Sequence, residues 1–310
     1  MKSPRFPFAH TFSIVARDPE SGEMGVAVQS HWFSTGSIVT WAEPGVGVVA
    51  TQSMAEVSYG PLGLIAMQTG KPVSIVLADL LNKDENREVR QVAMVDAKGN
   101  VAVHTGTRCI AEAGHHTGHQ YSVQANMMLK NTVWPAMAAA YEKSKGPLCD
   151  RLLAALDAAQ AEGGDIRGKQ SAAMLIVSGE TPVHPWKGVL VDLRVEDHHE
   201  PLVELRRLLN VQRAYEHMNR GDDLLSQGKT DEAFTAYEQG ARLAPHLDEL
   251  PFWQAVTLLD SGSEEKAAPI LKRLFKADPN WLLLLERLPA AGLLKDDAEM
   301  LQRVKKLINE

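Results

Sequence analysis

Cysteine is nearly absent from this chain, with only Cys109 and Cys149 among its 310 residues. Two thiols are too few for a disulfide framework and fit a reducing compartment, so each is read as a small buried hydrophobe. No run of about 18 consecutive apolar residues occurs, which argues against a membrane-spanning helix. Lys/Arg-rich runs are missing too, and the formal net charge is −7. A nucleic-acid partner, whose phosphates need a basic patch, is therefore not expected. The first ten residues, Met-Lys-Ser-Pro-Arg-Phe-Pro-Phe-Ala-His, hold no apolar stretch of signal-peptide length and are interrupted by two prolines. The expected location is the cytoplasm. What the chain does contain is 45% hydrophobic residues among mixed charges, the composition of a soluble globular protein, at a length that accommodates about two domains.

The pattern changes near Pro201. Before it, short β-branched runs predict strands at 11–17, 24–30, 38–41, 47–52, 90–96, 101–105, 121–125, 172–177 and 189–194. Asp96-Ala97-Lys98-Gly99-Asn100 reads as a hairpin link. Two helical pairs interrupt these strands, 59–69 with 73–82 and 133–145 with 148–162, each broken by a Gly/Pro segment. Strands and paired helices in this order predict an α+β domain of two antiparallel sheets between helical layers, because a doubly wound parallel sheet would alternate strand and helix singly. After Pro201 everything reads as helix. The expected division is an extension at 1–10, a mixed domain at 11–199 and an all-α domain at 200–310.

The helical part repeats. Gly228, Ala233 and Pro245 recur 34 residues later as Gly262, Ala267 and Pro279, the period of a tetratricopeptide repeat. Gly221, Leu224, Ala233, Tyr237 and Pro245 also fall at that family's small, large, small, aromatic and terminating positions. The region therefore resembles a tetratricopeptide-like helical domain, with Gly228 and Gly262 ending the first helix of each pair. Two matched repeats need support from the helix at 201–220 and from the tail beyond Trp281.

Thr11 opens the first long strand. A threonine made into the first residue of a chain carries a hydroxyl for attack and an α-amine to take its proton. That amine titrates at about 7.7 to 8.0, so part of it is free base at neutral pH. The chemistry requires removal of Met1 to His10. The competing reading is an ordinary β-branched strand residue.

Thr11-Phe-Ser-Ile-Val-Ala-Arg-Asp18, Gly25-Val-Ala-Val-Gln-Ser30, Gly45-Val-Gly-Val-Val-Ala-Thr-Gln52, Tyr59-Gly-Pro-Leu-Gly-Leu64 and Gly163-Gly-Asp-Ile-Arg-Gly-Lys-Gln-Ser171 follow one another in order. Together they resemble an uncharacterised bacterial and archaeal family grouped with the N-terminal nucleophile (Ntn) hydrolases, and the likeness covers roughly residues 11–193. It implies a four-layer αββα sandwich with the nucleophile, at the position of Thr11, starting a central strand beside a cleft between the sheets. Some similar members carry a helical C-terminal region labelled as peptidoglycan-binding. The implied activity is hydrolysis of an amide bond in a small or peptide-like molecule. Because ten residues precede Thr11, the site needs a cleavage after His10, works without a free amine, or is inert.

Such a nucleophile needs oxyanion donors and polar groups that fix the base. Asn126, just after a strand, offers an amide N–H₂, its other reading being the cap of the turn before Met127. Ser30 and Gln52 end neighbouring strands and can gather at one cleft. Thr11, Ser30 and Asn126 are thus the catalytic candidates. Gln52, Asp165, Arg167 and Gln170 are the candidates for substrate binding, with Arg167 offering a guanidinium fork to a carboxylate. A helix C-cap with a local ion pair is the other reading of Asp165 and Arg167. His115, His116 and His119 lie in a Gly-flanked segment without metal-ligand spacing, and read as a solvated loop. No metal or cofactor is expected. Two alternatives to an enzyme remain: a scaffold whose helical repeats bind a peptide or cell-wall fragment, and a homo-oligomer assembled through those helices.

Overall fold

A computed structural model describes residues 8–309, so Met1–Pro7 of the expected extension lie outside the described residues. The first unit contains β1 (Phe8–Ala9), β2 (Thr11–Arg17), β3 (Met24–Ser30), α1 (Gly36–Val39), β4 (Thr40–Glu43), β5 (Gly47–Met54), α2 (Tyr59–Gln68) and α3 (Val73–Lys83). It continues with β6 (Arg90–Asp96), β7 (Val101–Thr105), β8 (Gly114–Gly118), β9 (Tyr121–Ala125), α4 (Val133–Lys143), α5 (Leu148–Ala161), β10 (Ser171–Val177) and β11 (Val189–Val195).

The strands form two antiparallel sheets. One runs β1-β5-β6-β7 with β4 also on β5, and the other runs β11-β10-β3-β2-β9-β8. Alternation along each strand sends one set of side chains between the sheets and the other towards helices. Val15, Val26, Val28, Val48, Ala50, Ala93 and Val95 meet in the inter-sheet core. Val49, Val92 and Met94 face the opposite way, onto Leu64 and Met67 of α2 and Val73, Val76 and Leu77 of α3. The pair α4 and α5 packs on β2, β3, β8 and β9 of the other sheet. With both faces covered, β2, β3, β5 and β6 are almost wholly buried. This explains why their sequences read as near-continuous apolar runs.

Two local expectations fail. The strand predicted at 38–41 is realised only in its second half: Ile38 and Val39 end a single helical turn, α1, and Thr40 and Trp41 open β4. Thr40 Oγ1 donates to the Gly36 carbonyl at 2.8 Å and Ser37 Oγ to that of Ser34 at 2.7 Å, closing a turn that apolar content alone does not distinguish from a strand. The segment with His115 and His116, read as a loop, is the edge strand β8. Its glycines mark close approach: a Cβ on Gly114 would lie 2.5 Å from the Trp134 ring, and one on Gly118 2.1 Å from that of Tyr121. Cys109 and Cys149 are both half-buried rather than sealed in the core.

The compact units divide between Arg206 and Arg207, inside α6 (Pro201–Ser226) and beyond the compositional boundary at 199/200. The second unit is all helix: the rest of α6, then α7 (Thr230–Leu243), α8 (Glu249–Asp260), α9 (Glu264–Ala277), α10 (Asn280–Arg287) and α11 (Ala298–Asn309). α6 stops before Gly228 and α8 before Gly262, both left-handed at φ 76° and 79°, a conformation glycine adopts without strain. Ala233 and Ala267, one repeat apart, are fully buried. Among the described residues no helix is long and apolar enough to cross a membrane.

Gly221 on α6 meets α7 at closest approach, and a Cβ there would stand 2.3 Å from Tyr237 Cε1. Gly221→Ala is expected to destabilise the helical unit by about 1–3 kcal/mol through overpacking. Urea unfolding followed by helical circular dichroism checks this, and an unchanged midpoint would contradict the packing described.

Candidate functional site

The inter-sheet face is apolar over most of its area and polar at one end. Thr11 and Ser13 of β2, Ser30 of β3, Gln52 of β5, Gln91 of β6, Ser122 and Gln124 of β9 and the adjoining Asn126 are all fully buried. Burying so many polar groups is tolerable only if each finds a partner, since an orphaned one costs about 1–3 kcal/mol. Gln91 is the hub. Its Nε2 donates to the carbonyls of Ala125 at 2.9 Å and Gly114 at 3.2 Å, which turns Oε1 towards Asn126 Nδ2 at 2.9 Å and Gln52 Nε2 at 2.7 Å.

That choice propagates in both directions. With Nδ2 committed to Gln91, Asn126 presents Oδ1 to His10 Nδ1 at 2.7 Å, so His10 carries its proton on Nδ1. With Nε2 committed, Gln52 accepts from Ser13 Oγ at 2.6 Å through Oε1. Ser13 Oγ in turn accepts from Gln124 Nε2 at 2.6 Å, and Gln124 Oε1 from Ser122 Oγ at 3.0 Å.

Thr11 stands where the chain crosses between sheets. β1 pairs with β5, Phe8 opposite Met54 and Ala9 opposite Ser53, whereas Thr11 pairs with Ser30 across β2 and β3. His10 is the connecting residue. Thr11 is fully buried, its nitrogen is part of the peptide bond to His10, and its Oγ1 donates to the Ala9 carbonyl at 3.3 Å. The His10 carbonyl accepts two hydrogen bonds, from Ser30 Oγ at 2.7 Å and Arg167 Nη2 at 2.8 Å. Arg167 is fixed by Asp165, whose Oδ2 accepts from Nη2 at 2.7 Å and whose Oδ1 accepts from Nε at 3.0 Å. The Thr11 carbonyl accepts from Asn126 N at 3.1 Å and Gln52 Nε2 at 3.4 Å.

The structure thus gathers Thr11, Ser30, Asn126, Gln52, Asp165 and Arg167 around one peptide bond. Gln170 is turned away: its side chain donates to Asp197 at 3.2 Å on the surface, and only its backbone nitrogen reaches the cluster, at the Ser30 carbonyl, 3.0 Å away. Asn126 does not cap the following turn with its side chain but bridges His10 and Gln91. His10, Ser13, Gln91 and Gln124 are members that composition and spacing did not single out. For Ser13, Gln91 and Gln124 the signal was a polar residue at core parity in a buried strand, as in Arg90-Gln91-Val92-Ala93. Among the described residues no cluster of histidine, cysteine and carboxylate side chains could hold a metal ion.

The chain belongs to the Family of unknown function (DUF1028), whose model matches residues 11–205. The crystal structure of protein SPO2555 from Silicibacter pomeroyi, also of DUF1028, is 31% identical with a TM-score of 0.58, over 65% of this chain and 88% of that one. Anbu (ancestral beta-subunit) from Yersinia bercovieri matches at 11% identity and a TM-score of 0.32, over 64% of this chain and 92% of that one. No curated protein matches the chain.

Burial holds the His10 imidazole below its ordinary value of 6.5, against the hydrogen bond to Asn126 and with the Arg167 charge acting in the same direction. The folded chain therefore disfavours the protonated ring, while the unfolded chain takes up a proton below about pH 6.5. Stability is therefore fully present above that pH and falls as pH drops through it. In chains whose mass shows residue 10 still attached, the urea midpoint is expected to fall between about pH 7.5 and about pH 5.5. His10→Gln should reduce that fall, the effect of the similarly depressed His115 remaining in both chains. Equal falls in both would contradict a neutral buried His10.

Proposed function

We propose that this chain is the precursor of an amide hydrolase whose nucleophile, Thr11, is freed by cleavage of the His10–Thr11 bond. The observation that carries the reading is the pair of donors on the His10 carbonyl. Ser30 Oγ and Arg167 Nη2 hold the oxygen that becomes negative when that carbon is attacked, the requirement for oxyanion stabilisation. The fold supports it as well: two antiparallel sheets face each other with helices outside, and Thr11 begins a central strand, as an Ntn-type αββα sandwich requires.

In the cleavage, Thr11 Oγ1 adds to the His10 carbonyl carbon, the C–N bond breaks, and the proton lost by the hydroxyl ends on the Thr11 nitrogen. Water then adds to the resulting ester and expels Oγ1. The products are a His10 carboxylic acid and Thr11 with a free α-amine. In the mature site the same hydroxyl attacks a substrate amide, the α-amine takes its proton, and Ser30 and Arg167 face the new oxyanion. Asn126 and Gln52 hold the Thr11 carbonyl and so fix the nucleophile. The uncut form is latent, because Thr11 is sealed beneath residues 9 and 10.

A second reading, a non-catalytic binder, is favoured by the helical unit. Paired helices with buried Ala233 and Ala267 one 34-residue period apart fit tetratricopeptide-like hairpins that take an extended peptide.

Intact mass of purified protein separates the two. The hydrolase reading expects a chain beginning at Thr11, no cleavage in Thr11→Ala, and cleavage slowed about 10²–10³-fold in Ser30→Ala and in Arg167→Ala. Protein that stays uncut, binds peptides and hydrolyses nothing supports the binder instead.

A further inference from the structure

We propose that the slot occupied by residues 8–10 is the acyl-side substrate site of the mature protein, and that its substrates are extended peptides with a small residue followed by a hydrogen-bond-donating residue at the scissile bond. The inference rests on the hydrolase reading and assigns its substrate class.

The slot has a sheet edge. One side of β5 is divided between two strands, with β4 covering Gly47 to Ala50 and β1 covering Ser53 and Met54. Once the segment before Thr11 departs, the second part is a bare edge ending beside the nucleophile, able to take an incoming backbone by strand addition. That edge is held from behind. The fully buried Arg90 donates through Nη1 to the Met54 carbonyl at 2.5 Å and through Nε to Asp84 Oδ2 at 2.8 Å. Although burial opposes it, this hydrogen bond keeps the Asp84 carboxyl below its usual range.

The slot also has side-chain preferences. Ala9 is fully buried within the inter-sheet apolar cluster, so the second residue before the cut must be small. His10 meets Asn126 Oδ1, an acceptor whose orientation the Gln91 network fixes from the other sheet. Its charged neighbours, Arg167 and Asp165, are paired with each other. A residue here must therefore donate a hydrogen bond, since a buried amide oxygen left without a donor is costly. The carboxylate left by cleavage falls against Ser30 Oγ and the Arg167 guanidinium, so the free-acid peptide is a product-like ligand.

The test uses full-length protein purified and allowed to process, its state read by intact mass. The probes are acetyl-Phe-Ala-His free acid, the same peptide N-methylated at the alanine or at the histidine, and acetyl-Phe-Ala-Phe. Calorimetry on the cut chain is expected to show binding of the first probe, loss of at least tenfold in affinity on one or both N-methylations, and a similar loss for the phenylalanine peptide. Hydrolysis of the corresponding amides should rank in the same order. A cut chain that binds all four probes equally, or none, overturns the slot while leaving Thr11 as nucleophile. A cut chain that binds in the expected order yet hydrolyses nothing supports the slot and sinks the hydrolase. A chain that never cuts keeps the slot filled by its own residues and overturns both.

Discussion

The requirement that no polar group be left unpaired between the sheets governs this site. Gln91 is the pivot, because its amide nitrogen has carbonyl neighbours on one side and its oxygen serves two other amides on the opposite side. One orientation pairs the amides and hydroxyls from Ser122 to Asn126 and sets Asn126 Oδ1 against His10 Nδ1, whereas reversal would set oxygen against oxygen at Ala125 and nitrogen against nitrogen at Asn126. The tautomer of the imidazole that links the two sheets is thus dictated through Asn126 by a glutamine of β6. Apolar residues would pack this end at lower risk, as they do around Val15 and Val48. The polar alternative supplies fixed donors and acceptors where the chain crosses between sheets.

Backbone conformation at the same end is correspondingly unusual. Ser53 and Met127 have φ of 71° and 58°, a region that costs a side-chain-bearing residue on the order of 1–3 kcal/mol. One lies opposite Ala9 and the other follows Asn126. Each turns the chain just where a strand ends against the His10–Thr11 link, and the hydrogen-bonded surroundings over-determine both.

Much of the fold was legible because the central strands are covered on both faces and the helices come in pairs divided by Gly-Lys-Pro and Gly-Pro breaks. Failures fell where local composition and tertiary role diverge. β8 is built of glycine, histidine and threonine, and it is a strand only because β9 offers an edge and Trp134 and Tyr121 leave no room for a Cβ. α1 is a four-residue turn whose side-chain hydrogen bonds are invisible to periodicity. For the site, Thr11, Ser30 and Gln52 were readable as strand-end polar residues that converge. His10 was not, because it had been set aside with a removable extension, and Gln91 was not, because a single glutamine in an apolar strand shows its importance only once its partners are in place. Gln170 lies in the motif that delivers Arg167, but it precedes β10 and its side chain turns to Asp197 on the surface.

The partition of β5 bears on solubility. An unpaired strand margin invites other chains to add to it and seed aggregation, and short margins are one of the ways proteins avoid this. With β4 already on the first half of β5, loss of the leading segment would, among the described residues, unpair Ser53 and Met54. Two residues can anchor a short ligand whose far end is gripped elsewhere, yet they give a stray β-strand too little purchase to grow from.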